Sequence, residues 1–477
     1  MVDRIRKTKI VCTLGPATSS EEMLKKLISA GMDVARLNMS HGTHEEHSAR
    51  IKLLRKAADS VGKVIGILGD LQGPKIRLGD FPNGAVTLKQ GQKFTLTSEE
   101  VQGSHERSSV TYPNLAAEVK EGETILLADG ALELKVRERT KKDIICDVVI
   151  GGEINSHKGV NLPGSRLKIS AITEKDKKDI AFAVREKLDY LAASFVRKAK
   201  DVKDARCVLE EHAASIPIIS KIEKPEAVLN LEDILDVSDG IMIARGDLGV
   251  EIPLEKVPIV AKEIMARARR AGKPVITATQ MLKSMVEASK PTRAETTDVA
   301  NAVIDGTDAV MLSEETAVGK YPIEAVRIMG AIAIEAENAS GLDFPLFVQE
   351  SSRKMDIADA IAHAVFDASK EQEITAIVTP SARGTTPMRI SRLRPDKPIL
   401  MLTENQKVAN RFALIWGVTP VCIKMPTDLT EIFNLAGELT RKKGFATGGD
   451  RIIVTAGFPI YGTPTNLIYI HKLERQA

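Results

Sequence analysis

Hydrophobic positions fall along the chain in two alternating styles. Short, nearly continuous apolar runs end in a polar residue, and between them come longer stretches with apolar residues every third or fourth position. The first style predicts strands buried on both faces, and the second predicts amphipathic helices packed over them. On this reading strands occupy 9–16, 34–40, 64–70, 188–194, 217–223, 240–247, 275–280 and 309–315, with helices at 19–30, 44–61, 174–186, 257–271 and 297–304. Eight parallel-type strands alternating with helices predict a (β/α)8 TIM barrel.

The period changes twice. Between 73 and 166 long helices give way to short alternating stretches such as 85–88, 94–97, 124–127 and 144–148, separated by glycine-rich turns. This predicts a small all-β domain inserted after the third barrel strand, placed as a lid that excludes water. The barrel is then split into 1–72 and 167–340. From 341 to 477 the pattern predicts a C-terminal open α/β domain, with helices at 357–369, 386–393, 408–414 and 429–444 and strands at 376–379, 399–402, 451–455 and 467–471.

Composition narrows the function. In 477 residues, 67 Lys and Arg oppose 64 Asp and Glu, giving a formal charge of +3, with one Trp and five Tyr. There is neither a basic field nor much aromatic surface, so no nucleic-acid partner is expected. No run is long and apolar enough for a membrane span, and the N-terminus lacks a signal-peptide core. Cys12, Cys146, Cys207 and Cys422 are widely spaced, as reduced thiols of a cytoplasmic protein are.

The chemistry collects at strand ends. Lys221 and Glu223 are two apart and share one face of an apolar strand. Alone, they read as a structural ion pair. Arg36, Asn38 and Ser40, then Asp70, Asp247, Thr279 and Ser313, end other strands in the same way, which argues for a site at the carboxyl mouth of the barrel. Glu223 and Asp247 are hard oxygen ligands suited to Mg2+ or Mn2+, and Lys221 and Arg36 supply charge for a transferring phosphoryl group. Gly246 and Gly249 flank Asp247 and leave backbone N–H groups free for a substrate carboxylate, to which Thr279 can also donate. In the C-terminal domain Ser381, Arg383, Thr385 and Thr386 stand at a strand-to-helix turn, either an ordinary capped helix start or a phosphate site. Residues alone imply a metal-assisted reaction on a small phosphorylated anion.

Nine segments in order, 9–17 (KIVCTLGPA), 35–42 (ARLNMSHG), 73–77 (GPKIR), 159–164 (GVNLPG), 219–223 (ISKIE), 244–253 (ARGDLGVEIP), 278–282 (ATQML), 291–295 (PTRAE) and 311–317 (MLSEETA), mark a chain that resembles pyruvate kinase over essentially its full length. The resemblance implies glycolytic phosphoryl transfer from phosphoenolpyruvate to ADP, giving an enolate that is protonated to pyruvate. It implies Mg2+ on Glu223 and Asp247, phosphoryl and enolate stabilisation by Lys221, and phosphate contact by Arg36. The N–H groups of Gly246 and Asp247 with Thr279 would hold the substrate carboxylate, and Thr279 with Ser313 would belong to the proton relay. His41, Arg77 and Lys158 would contact the nucleotide. The resemblance also implies a homotetramer, and a phosphorylated effector on Ser381, Arg383, Thr385 and Thr386.

The chain departs from the family pattern in places. Many members bind K+ through positions matching Asn38, Ser40, Asp70 and the Leu71 carbonyl, with a glutamate where this chain has Lys75. An ammonium near that site replaces the cation, so activity without K+ is expected. Leu71 and Gln72 stand where many relatives have Thr-Lys, and Glu314 stands where a small residue is usual. Two rival readings use the same residues: an aldolase or lyase forming a metal-bound pyruvate enolate, and a silent metabolite sensor.

Overall fold

The structure, a computed structural model, describes residues 5–165, 167–339, 356–371, 373–457 and 464–475. The domain boundaries expected at 166 and 341 fall outside the described residues. Eight strands, Lys9–Thr13, Val34–Asn38, Gly66–Asp70, Tyr190–Ala193, Ile218–Ile222, Gly240–Ala244, Val275–Ala278 and Ala309–Leu312, form a closed barrel in chain order. Every pairing is parallel, and the first strand closes the ring on the last, with Ile10 opposite Val310.

Alternation along each strand separates two apolar clusters. One face, including Ile10, Cys12, Leu37, Ile67, Ile218, Ile243 and Leu312, packs into the helical shell. The other, including Val11, Val34, Leu68, Ala192, Ile219, Met242, Ile276 and Met311, fills the barrel interior. Two residues further along, most interior columns turn polar: Val11 leads to Thr13, Val34 to Arg36, Leu68 to Asp70, Ala192 to Ser194, Ile219 to Lys221 and Met311 to Ser313. The lower interior is therefore dry, and its carboxyl end is a ring of hydrogen-bonding groups.

The insert carries a six-stranded sheet and a two-stranded ribbon over their own core, which includes Phe94, Leu115, Leu134 and Val136, with one short helix, Leu115–Glu118. The C-terminal unit is a five-stranded sheet in which Ile374–Pro380, Ile399–Thr403, Val418–Cys422 and Arg451–Ala456 run parallel and Leu467–Lys472 is antiparallel. The expected architecture is present in all three parts.

Several boundaries differ. The run read as a strand over 240–247 is a strand only to Ala244; Arg245–Glu251 is a helix. Asp247 sits in its first turn, where a carboxylate favours helix over further strand. The strand expected over 309–315 likewise stops at Leu312 and gives way to the turn Glu314–Ala317. The helix expected over 297–304 starts at Arg293, because Thr292 and Glu295 form a capping box. Helices Ala199–Glu211, Leu231–Val237 and Pro322–Asn338 were not expected, nor was strand Val418–Cys422. Pro420 masked that strand, and the structure accommodates it by placing the strand at a sheet edge.

The C-terminal unit also completes the barrel. Ala413 and Leu414, which follow helix Gln406–Phe412, belong to the interior cluster with Val11, Leu68 and Met242. Around this stopper Lys9 Nζ donates to the Val418 carbonyl at 2.6 Å, and Tyr190 Oη donates to the Arg411 carbonyl at 2.7 Å.

Candidate active site

At the carboxyl mouth Lys221 is the hub. Its Nζ lies 2.9 Å from Glu223 Oε1 and 3.2 Å from Asp70 Oδ1, and donates to Ser194 Oγ at 2.7 Å. Asp70 Oδ2 accepts from Arg36 Nε at 2.7 Å, and Arg36 Nη1 donates to Thr13 Oγ1 at 2.9 Å. Ser194 Oγ in turn donates to the Leu71 carbonyl at 2.7 Å. The ion-pair reading of Lys221 and Glu223 is thus realised, and the pair faces the mouth.

Electrostatics follow from burial. Burial alone would depress the Lys221 ammonium, but Asp70, Glu223 and Asp247 hold it well above the usual lysine range. Burial alone would raise Asp70, and Lys221 with Arg36 outweighs it and holds the carboxyl low. Glu223, 2 % exposed, is pushed up by burial and by Asp247, against the pull of Lys221. Its Oε2 accepts from the Phe195 N–H at 2.8 Å. A buried carboxylate raised by a second carboxylate is a place where a divalent cation relieves repulsion. Among the described residues no group of three or more His, Cys, Asp or Glu gathers for a metal. Glu223 and Asp247 are the pair that could hold an ion there, one that would draw the rest of its shell from substrate and water.

The backbone beside them is unusual. Thr279 and Gln280 take φ of +71° and +55°, and Phe195 takes +55°. A β-branched residue in the left-handed region is uncommon and needs support. Arg245 supplies it: it pairs with Asp298 at 2.6 and 2.7 Å, and its Nη2 donates to the Thr279 carbonyl at 3.1 Å. The Gly246 N–H donates to Thr279 Oγ1 at 2.6 Å, and that hydroxyl donates to the Ala278 carbonyl at 2.6 Å. Ser313 is half-buried at the neighbouring strand end, its N–H donating to Glu315 Oε2 at 2.7 Å. Glu314 points outward and pairs with Lys283, a structural account of a residue that had none.

Not all candidates converge. Asn38 Oδ1 accepts from the Ser40 N–H at 3.1 Å beside Asp70. Lys75 does not join them: its Nζ lies 3.3 Å from Asp129 Oδ1 in the β insert. The cations on Asp70 are Arg36 and Lys221. His41 is exposed at the mouth, and its imidazole is depressed by partial desolvation and by the charges of Arg77, Arg36 and Lys75. Arg77 Nη1 donates to the His157 carbonyl at 3.0 Å, and Lys158 is exposed next to it on the insert. In the C-terminal unit Ser381 Oγ accepts from the Gly384 N–H at 3.0 Å, Thr386 Oγ1 lies 2.6 Å from Thr465 Oγ1, and Arg383 and Thr385 are exposed.

Sequence reasoning missed Ser194, Phe195, Arg245 and Thr13. Ser194 and Thr13 stood on expected strands, and that was their only signal. The Phe195 contact is a backbone one and leaves no trace in residue type.

A (β/α)8 barrel whose mouth joins a buried lysine to two carboxylates, with a β insert and a C-terminal α/β unit, defines a barrel enzyme with its site at the carboxyl ends of the strands. The family profile "Pyruvate kinase, barrel domain" matches residues 5–326, and "Pyruvate kinase, alpha/beta domain" matches 359–471. The chain belongs to the pyruvate kinase family, and it is a glycolytic phosphotransferase acting on phosphoenolpyruvate and ADP. It is 47 % identical over 472 residues to the pyruvate kinase of Staphylococcus aureus (strain MRSA252), 98 % of this chain and 80 % of that one. It is 48 % identical over 474 residues to that of Staphylococcus haemolyticus (98 % and 80 %), and 46 % over 473 residues to that of Geobacillus stearothermophilus (98 % and 81 %). Members of the family generally use Mg2+ and K+. No helix among the described residues is long and apolar enough to cross a membrane.

Proposed function

We propose that the phosphoryl group of phosphoenolpyruvate is received by Lys221 and Arg36, and that Glu223 and Asp247 hold Mg2+ beside it. The carrying observation is the Lys221 ammonium, fixed between Asp70, Glu223 and Ser194 at the barrel mouth. Bound Mg2+ would supply Lewis-acid charge at the phosphoryl and enolate oxygens. The chain supplies the rest. Lys221 remains protonated among three carboxylates and offsets charge as the phosphoryl group leaves. Arg36, oriented by Asp70 and Thr13, fixes the phosphate. The N–H groups of Gly246 and Asp247, with Thr279, orient the substrate carboxylate once it displaces the bond from the Gly246 N–H to Thr279 Oγ1, and Thr279 and Ser313 deliver a proton to the enolate. His41 with Arg77 and Lys158 of the insert, taken as a lid over 73–166, contacts ADP.

The test is pyruvate formation from phosphoenolpyruvate with Mg2+, with and without ADP, on the native protein and on Lys221→Ala. Product that requires ADP and falls about a thousandfold in the variant supports the reading. Product without ADP would select the lyase, and none would leave the sensor.

The finer reading of the cofactors is turnover without K+. Two observations support it: Asp70 is already met by two cations, and the charge of Lys75 is felt at His41 even while its ammonium rests on Asp129. Equal rates in K+-free and K+ buffers, with Lys75→Glu becoming K+-dependent, are expected; a collapse of the native enzyme without K+ would refute it. The unit over 341–477 is read as an effector domain binding a phosphorylated metabolite through Ser381, Arg383, Thr385 and Thr386. Effector and phosphoenolpyruvate must then tighten each other's binding, and Arg383→Ala must abolish activation. The assembly is read as a homotetramer. Four free cysteines support a reducing, cytoplasmic setting.

A further inference from the structure

At the foot of the barrel, opposite the mouth, the end of helix Val257–Arg270 and the start of strand Val275–Ala278 face the end of helix Thr385–Arg392 in the C-terminal unit. The seam is a small cleft, open to solvent, lined by Arg269, Lys273, Asp308, Ser391, Arg392 and Arg394, among others. Among these residues the one carboxylate, Asp308, is already engaged. Asp308 Oδ1 lies 3.1 Å from Arg394 Nη2, and Oδ2 accepts from the Val275 N–H at 2.8 Å. Lys273 Nζ donates to the Ser238 carbonyl at 2.7 Å, and Ser391 Oγ donates to the Trp416 carbonyl at 2.6 Å.

Two guanidinium groups remain under-used. The Arg394 side chain is 8 % exposed and lies with its Cζ 4.5 Å from the Trp416 ring centre. Its Nη2 also donates to the Gly306 carbonyl at 2.9 Å, but Nη1 is buried with no acceptor among the described residues. Leaving a charged donor buried and unmet is unfavourable unless something else satisfies it. Arg394 moreover takes φ of +54°, just beyond the helix end, where glycine is the usual residue. Arg269 is half-buried and feels Asp308 electrostatically without pairing with it.

We propose that this seam binds a phosphate-type oxyanion, inorganic or carried on a monoester, through Arg394 Nη1, Arg269 and Arg392. Planar guanidinium groups match such an oxyanion in pairs of parallel hydrogen bonds. The site is distinct from the loop at 381–386, which begins the same helix; eight residues of helix set the two about 12 Å apart. It also touches Lys273 and Pro274, which lead into strand Val275–Ala278, directly before Thr279. An anion here ties the C-terminal unit to that strand.

The test is calorimetric titration of inorganic phosphate, and separately of methyl phosphate, into the phosphate-free full chain carrying Lys221→Met and Arg383→Ala. Those changes remove contacts at the mouth and at the loop, and chloride at matched ionic strength is the blank. Saturable binding is expected, weakened about tenfold or more by adding Arg394→Met, Arg269→Met or Arg392→Met. Tighter methyl phosphate assigns the site to a monoester, and tighter or equal inorganic phosphate assigns it to the free ion; either supports the proposal. If Arg394→Met does not fold, the two less buried arginines decide. No saturable binding, or binding unchanged in both Arg269→Met and Arg392→Met, overturns it.

Discussion

Ser194 accepts from the Lys221 ammonium and donates to the Leu71 carbonyl, so one hydroxyl fixes the lysine against the third and fourth barrel strands. Hydrogen bonds to charged groups contribute about 1.5–3 kcal/mol. Ser194→Ala is therefore expected to lower kcat about tenfold in steady-state assays with saturating Mg2+, and to lower Tm by a few degrees. A second residue tests burial at the barrel foot. Asp189 is pushed up to about 6 by burial, against the Ile67 N–H and Asn410. Its folded value exceeds its unfolded one, so its contribution to stability is present at low pH and lost as pH rises through about 6; the full shift is worth at most about 3 kcal/mol. Asp189→Asn should raise Tm at pH 7.5, by an amount that shrinks toward pH 5. At this scale the sequence disclosed which side chains share the mouth, because alternation fixes direction. It did not disclose partners: Lys75 was expected near the site of Asn38, Ser40, Asp70 and the Leu71 carbonyl and rests on Asp129, since whether a long side chain turns to the barrel or to the insert depends on how the two units sit.

Among elements, the barrel strands were legible because both faces are buried and the apolar runs are continuous. Their ends were less so. Gly240–Ala244 and Ala309–Leu312 each stop where the chain bends into a short helix, a choice made by Asp247, Glu314 and Glu315 in first turns and not by any change in hydrophobicity. Helix Pro322–Asn338 escaped notice because its apolar residues are too many to show a clean stripe. One such joint can be probed directly. Gly15 follows the first strand, and a Cβ there would lie 2.5 Å from the Ala317 carbonyl oxygen, a backbone atom with little freedom to move. Gly15→Ala should cost about 1–3 kcal/mol, seen as a Tm several degrees lower.

For the molecule as a whole, the three-part order was readable from the two changes of period, while the contacts between parts were not. Nothing in the stretch around Ala413 and Leu414 distinguishes residues that close their own domain from residues that close another's, yet both sit in the barrel interior. Leu414→Ala is expected to destabilise by about 2–5 kcal/mol through the cavity it leaves. A calorimetric scan should show the barrel transition lowered, although the substitution lies in the C-terminal unit. An unchanged barrel transition would show that the stopper does not seal it.

The same stopper sets an order of events at birth. The last barrel strand ends at Leu312, and Ala413 and Leu414 emerge from the ribosome only after the intervening chain has been made. At about 5–20 residues per second this leaves the ring complete but open-bottomed for on the order of ten seconds. During that interval Val11, Leu68, Met242 and their neighbours line a greasy hole facing the cell, and the nascent chain is at its most exposed to capture by chaperones or by another copy of itself.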